Sequence, residues 1–294
     1  LCSEFSAAES GQRTYSEGRK GIKDDMEESE YLAGRIRELS NKAYQNEYVT
    51  HTEFLSASEI AAVYEIMARQ GMPAGVNVCN GVSFCLYGGW EEADRNVLCF
   101  LPSYLDEEAF CLQEAADPQV VSCIRVRPVN ARFADDLIHR DYLGALMNMG
   151  IERDQIGDIL AVRGSEDAFI FVMKDIAKVI CAELIRIRHT SVRCEEVLPG
   201  ECNIRPEFEE IEGSVASERL DAILAFVYRL SRAQAQQLIE AQDVFVDGRS
   251  AFSGGYDLKT GARVSVRGYG KFQYEGTGGT SKKGRLFAKV KLYK

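Results

Sequence analysis

The sequence is poor in the features that announce catalysis or membrane residence. No apolar run approaches the ~18 residues a membrane helix requires, and the first residues lack the charged-then-apolar layout of a secretion signal. The expectation is a cytoplasmic chain with no membrane partner. Histidine is scarce: His51, His139 and His189 are the whole set, and none stands at zinc-ligand spacing from a cysteine. There is no C-x-x-C pair. Cys79, Cys85, Cys99, Cys111, Cys123 and Cys181 fall at irregular intervals in apolar or mixed segments, the distribution of small buried hydrophobes rather than of a disulfide frame. No glycine-rich phosphate loop or nucleophile elbow is present. No catalytic residue, cofactor or metal is therefore expected.

What is present divides in two. A length of 294 residues with 46% hydrophobic and 27% charged residues describes an ordinary globular chain of two or three domains. Its net charge of −10 argues against a nucleic-acid binder only while the chain is averaged. From Ser214 onward there are 14 basic and 7 acidic residues, a net of +7; the residues before it hold 21 basic against 38 acidic, a net of −17. That asymmetry describes a basic module joined to an acidic body. The body would be repelled by bulk RNA, which confines contact to the basic face or reserves the body for a protein partner.

Hydrophobic period and turn chemistry suggest five segments: a polar, disordered tail over 1–28, an N-terminal α/β unit over 29–115, a middle domain over 116–198, a linker over 199–213 and a C-terminal module over 214–294. In the first unit, Ser56 and Glu59 have capping-box spacing at a helix start, and Gly71 and Pro73 would end that helix. Asn80-Gly81 is a hairpin signal between strands at Ala74–Cys79 and Val82–Tyr87. The middle domain reads strand Val120–Val126, helix Asp136–Met149, strands Ile159–Val162 and Phe169–Val172, helix Lys174–Ile187 and strand Val192–Val197. This β-α-β-β-α-β order is ferredoxin-like. The fold class is thus α+β.

In the C-terminal module Ser217 is the expected N-cap of a helix with Leu220, Ile223, Leu224 and Val227 on one face, and Ser231 caps a second helix with Gln234 in box position. Asp247-Gly248 and Thr260-Gly261 mark turns, and Ala262–Arg267 alternates cleanly as a strand. Arg219 and Arg232 stand near the two helix starts, where free backbone N–H groups and guanidinium groups would bind phosphate together. Tyr269 and Phe272 are candidate stacking residues. The RNA-binding candidates are Arg219, Arg229, Ser231, Arg232, Arg267, Lys271, Lys282, Lys283 and Arg285.

Arg219-Leu220-Asp221, Ser231-Arg232, Leu238-Ile239, the run from Val244 to Gly248 and that from Leu258 to Gly261 resemble the S-four-type (alpha-L) RNA-binding domain. Asp243 stands where that domain commonly has glycine, and Ala262 where aspartate is usual. The likeness continues upstream. The run Arg140–Leu146, Gly150-Ile151-Glu152-Arg153 and Ile156-Gly157-Asp158-Ile159 are similar to the middle domain of the YlmH family. Thr52–Leu55, Gly88-Gly89-Trp90 and Asp94-Arg95 are similar to its first domain, and Arg267–Phe272 with Lys282–Arg285 to its C-terminal end. The resemblance implies a non-enzymatic RNA-binding protein, often encoded near cell-division genes. It also implies a partner in large-subunit ribosomal RNA, with tRNA as a second candidate, and a role in rescue of stalled large subunits carrying peptidyl-tRNA, where the family supports C-terminal tailing.

Two other readings stand beside it: a cell-division-associated interaction adaptor, and an RNA-modifying enzyme. Arg219-Leu220-Asp221 resembles a fragment of a pseudouridine synthase motif but lies inside the RNA-binding module, and no histidine has the context of a synthetase signature. Asp135, Asp136, His139, Arg140 and Asp141 form the one tempting polar cluster, with Asp135 and His139 at i, i+4 spacing. The polar start of an amphipathic helix explains it as well.

Overall fold

A computed structural model describes residues 30–72, 76–161, 167–205, 207–280 and 284–293. The tail read as disordered, Pro73 and the pair Lys282 and Lys283 lie outside them.

The N-terminal unit begins with helix α1 (30–46) and continues through β1 (Thr50–Leu55), α2 (Ala57–Arg69), β2 (Val78–Cys79), β3 (Val82–Tyr87), β4 (Asn96–Phe100) and α3 (Glu107–Ala116). Ser56 and Glu59 form the reciprocal capping box that opens α2. Asn80 and Gly81 both take positive φ, 52° and 78°, as the two-residue turn between β2 and β3 demands. The sheet runs β1-β4-β3-β2, all antiparallel. Strand β4 is apolar on both sides: Leu98 and Phe100 pack under α1 and α2, while Val97 and Cys99 point the other way.

The middle domain supplies what Val97 and Cys99 meet. Its elements are β5 (Val121–Pro128), α4 (His139–Asn148), β6 (Ile156–Ala161), β7 (Ala168–Met173), α5 (Lys174–Glu183), β8 (Arg186–Ile187) and β9 (Thr190–Val197). The order β6-β7-β5-β9-β8 contains the expected ferredoxin-like arrangement. The second helix is shorter than the sequence suggested, because residues 186–187 leave it to form a hairpin with β9. Ile124, Val126, Ile170 and Val172 face α4 and α5. Cys123, Phe169 and Phe171 face the N-terminal sheet and share one core with Phe54, Cys85 and Cys99. Two sheets are therefore packed face to face between two helical layers. Cys85, Cys99 and Cys123 are completely buried there, and burial holds the Cys99 thiol well above its ordinary value.

The C-terminal unit comprises β10 (Phe208–Val215), α6 (Leu220–Val227), α7 (Arg232–Glu240), β11 (Val244–Val246), β12 (Arg249–Ser250), β13 (Arg263–Val266), β14 (Gly270–Thr280) and β15 (Leu286–Tyr293). Its antiparallel sheet runs β10-β15-β14-β13-β11-β12. Six of the fifteen residues read as a linker are thus strand: β10 pairs with β15 from Phe208↔Tyr293 to Val215↔Leu286. Its run of acids hid this, because as an edge strand it leaves Glu209 and Glu210 exposed.

One loop, Gly88–Arg95, touches all three units. Asp158 of β6 accepts hydrogen bonds from Trp90 Nε1 (2.9 Å), the Asp94 N–H (2.8 Å) and the Arg95 N–H (3.2 Å). Arg95 donates to the Phe54 and Ile156 carbonyls at 2.8 and 3.0 Å. Trp90 stacks on Phe171 with ring centroids 6.2 Å apart. Gly89, at φ 86°, leaves no space for a Cβ, which would lie 2.5 Å from the Phe171 ring. From the C-terminal unit, Arg263 reaches Glu92 Oε1 at 3.1 Å, Tyr293 donates to Glu92 Oε2 at 2.7 Å, and Lys271 pairs with Asp94 Oδ1 at 2.6 Å.

Desolvation raises the Asp158 carboxyl above its usual range against the lowering effect of its three donors. Asp158→Ala should strand those donors and remove one of the three acids, with Glu59 and Asp154, whose charge favours the Arg95 cation. A loss of about 3–5 kcal/mol in urea unfolding is expected, against less than ~0.5 kcal/mol for exposed Asp154→Ala. Equal midpoints would show that other contacts hold the loop.

Candidate nucleic-acid interface

The joint between α6 and α7 gathers four of the nine predicted residues, Arg219, Arg229, Ser231 and Arg232. The N-cap of α6 is Arg219, not Ser217 as expected from the sequence, and it makes no side-chain capping bond. A loop laid across the helix start explains this: Leu220 N–H donates to the Tyr256 carbonyl and Asp221 N–H to that of Gly254. The loop passes so close that a Cβ on Gly254 would sit 2.8 Å from that of Asp221. The first N–H groups of α6 are thus occupied, and the free helix start expected to bind phosphate is not there. At α7 the expected N-cap is the observed one: Ser231 and Gln234 form the capping box, and the Gln234 N–H is likewise occupied, by the Ser231 hydroxyl.

The arginines are organised by an acid. Arg219 forks onto Asp221, with Nε to Oδ1 at 3.1 Å and Nη2 to Oδ2 at 3.0 Å, and Arg232 Nη2 reaches both oxygens at 3.0 and 3.2 Å. Asp221 is buried while both guanidinium groups remain about half exposed. Burial alone would raise the Asp221 carboxyl; hydrogen bonds from Arg219 and Arg232 outweigh it and hold the pKa below the ordinary value. One buried carboxylate therefore aims two cations at solvent from different helices, giving a fixed pair of the kind suited to phosphate.

The other candidates separate. Arg229, at φ 54°, and Ser231 are exposed in the α6–α7 joint. Tyr269 rests on Tyr228 at 5.3 Å and stays 47% exposed, which places the β13–β14 turn and exposed Arg267 beside that joint. Arg267 also pairs with Asp243 at 3.4 Å. Arg285 lies further along the sheet, donating to the Ser214 hydroxyl and carbonyl. Two expectations are corrected. Phe272 is fully buried in the core, so it offers no stacking face. Lys271 is 16% exposed, packed over the Tyr293 ring and bonded to Asp94, so it joins units rather than meeting solvent. Sequence alternation places a residue on a face without saying what covers that face.

The Asp135–Asp141 cluster also resolves. Helix α4 starts at His139, so Asp135 is outside it and does not share a helical face with His139. Asp135 instead accepts the His189 N–H at 3.0 Å, and Asp141 accepts the Ile138 N–H at the helix start.

Paired helices on an antiparallel sheet, with arginines displayed at their joint, define an RNA-binding module. Residues 218–264 match the family model "S4 domain", and residues 124–199 match "Putative RNA-binding domain in YlmH". The "Ribosome-associated protein quality control protein P2" of Bacillus subtilis (strain 168) is 30% identical over 207 residues, 69% of this chain and 75% of that protein. The chain belongs to the YlmH family. The solved "Cell division protein ylmH from Streptococcus pneumoniae" aligns over 69% of this chain and 98% of its own at 16% identity and a TM-score of 0.40.

Because the folded pKa of Asp221 is depressed, its contribution is complete above about pH 4, the ordinary unfolded value, and fades as pH falls through the folded value. Asp221→Asn should lower stability at pH 7 by about 1–3 kcal/mol, with the gap to the parent narrowing below about pH 4. Unfolding curves from pH 7 to pH 3 check this; a gap independent of pH would remove the charge from the explanation.

Proposed function

We propose that this protein holds structured ribosomal RNA of the large subunit, and that it does so on stalled subunits that still carry peptidyl-tRNA. The observation that carries the reading is the Arg219–Asp221–Arg232 arrangement, a rigid pair of cations at the exposed joint of an S4 domain. The name of the Bacillus subtilis relative supports the ribosomal setting. Arg229, Ser231 and Arg267 extend the contact around the joint, with Lys282, Lys283 and Arg285 continuing the basic stretch. The tRNA would be a neighbouring contact, and the reaction catalysed is none: the protein acts by occupancy.

Sedimentation with ribosomes at low and high salt tests this. The parent should comigrate with large subunits at low salt and dissociate steeply as salt rises, because each neutralised phosphate releases counterions. Arg219→Ala/Arg232→Ala should abolish comigration. Since that variant strands the Asp221 carboxylate, Arg219→Ala/Asp221→Ala/Arg232→Ala serves beside it and should fail equally while keeping its fold. Comigration that ignores salt, or survives both variants, overturns the reading. Retention of protein partners after nuclease treatment would point instead to an adaptor.

A further inference from the structure

In a ferredoxin-like RNA-recognition domain, bases stack on aromatic side chains of the open sheet face. Here that face is closed. Phe169 and Phe171 are buried beneath the N-terminal unit, and Trp90 covers Phe171. RNA contact by the middle domain needs another surface, and its opposite end provides one.

The β5–α4 loop is tied to the β8–β9 hairpin: the Val129 N–H donates to the Ser191 carbonyl, the Asp135 N–H to the Thr190 hydroxyl, and the His189 N–H to Asp135. This end carries Arg127, Arg132, Arg140, Arg186, Arg188 and Arg193, all exposed. Six of the body's 21 basic residues thus share this end. Some are held by acids, Arg127 by Asp167 and Arg188 by Asp141 at 3.5 Å. Arg132, Arg140 and Arg193 make no ion pair with the described residues. Arg127 and Arg193 are directly opposite each other on β5 and β9, a like-charge cross-strand pair that disfavours the sheet. Beside them the loop exposes Phe133 (77%), with the Arg132 guanidinium 5.9 Å from its ring centroid. A rigidly tied loop that shows a whole phenyl ring to water among arginines suits an unpaired base flanked by phosphates. A protein partner would be expected to ask for a wider apolar patch and fewer like charges.

We propose that this end of the middle domain is a second RNA-contacting surface, taking single-stranded or looped RNA with Phe133 as stacking platform and the surrounding arginines on phosphates. The inference rests on the reading of the chain as an RNA-binding protein and adds a site separate from the S4 domain. The full-length protein would be titrated with a fluorescein-labelled RNA hairpin bearing an unpaired loop, and with the matching fully paired duplex. Phe133→Ala should weaken hairpin binding about tenfold, from the loss of one stacked base, and leave duplex binding unchanged. Arg140→Ala/Arg193→Ala should weaken both and lower the salt slope by roughly 0.7 for each single-stranded phosphate contact removed. All three side chains are exposed, so both variants should melt as the parent does. If both bind the hairpin like the parent while the Arg219/Asp221/Arg232 triple variant does not, RNA contact belongs to the S4 domain alone: the second surface is refuted and RNA binding stands. If the parent binds neither RNA, both readings fall.

Discussion

Asp158 is the point on which the arrangement turns. Its carboxylate is half-buried on β6 and gathers two backbone N–H groups and an indole N–H from a loop 63 to 68 residues away in sequence. Those bonds give the loop one shape, and that shape presents Glu92 and Asp94 outward to Arg263, Lys271 and Tyr293 of the C-terminal unit. An acid that burial disfavours is tolerated because all three donors converge on it and Arg95 lies alongside. Without the convergence, the carboxylate would be a liability and the loop would have no reason to hold its acidic residues in register with the S4 sheet.

This construction explains the uneven charge. The acidic body is not uniformly repulsive to RNA. Part of its negative charge, on Glu92 and Asp94, is matched to cations of the basic unit, and this contact fixes which face of the S4 sheet remains outward. Other exposed cations stand at the α6–α7 joint and at the hairpin end of the middle domain. Asp221 repeats the logic on a smaller scale: a buried acid fixes two arginines that would otherwise sample many rotamers, so less conformational entropy would remain to be lost if they bound an anion.

Much of the fold was legible. The capping boxes at Ser56 and Ser231 and the Asn80-Gly81 turn are local hydrogen-bond devices complete within four residues, so sequence spacing reads them directly. Less legible were elements stabilised from afar. The acidic β10 exists because β15 pairs with it. The start of α6 lies at Arg219 rather than Ser217 because residues 254 and 256 accept its N–H groups.

The amino-acid sequence determined the α+β class, the division into an acidic body and a basic module, the β-α-β-β-α-β order and the motifs that mark the YlmH family, since each depends on local pattern or composition. Only the tertiary structure decided which cations face solvent. Lys271 and Arg267 stand four residues apart in one basic run, yet Lys271 is half-buried against Asp94 and Arg267 is exposed. Phe272 and Phe133 are both aromatic residues beside a basic neighbour, yet one is core and the other is open to water. The physical reason is the same in both cases. Charge and aromaticity belong to the residue, whereas accessibility is set by what distant chain segments cover, and no local spacing encodes that.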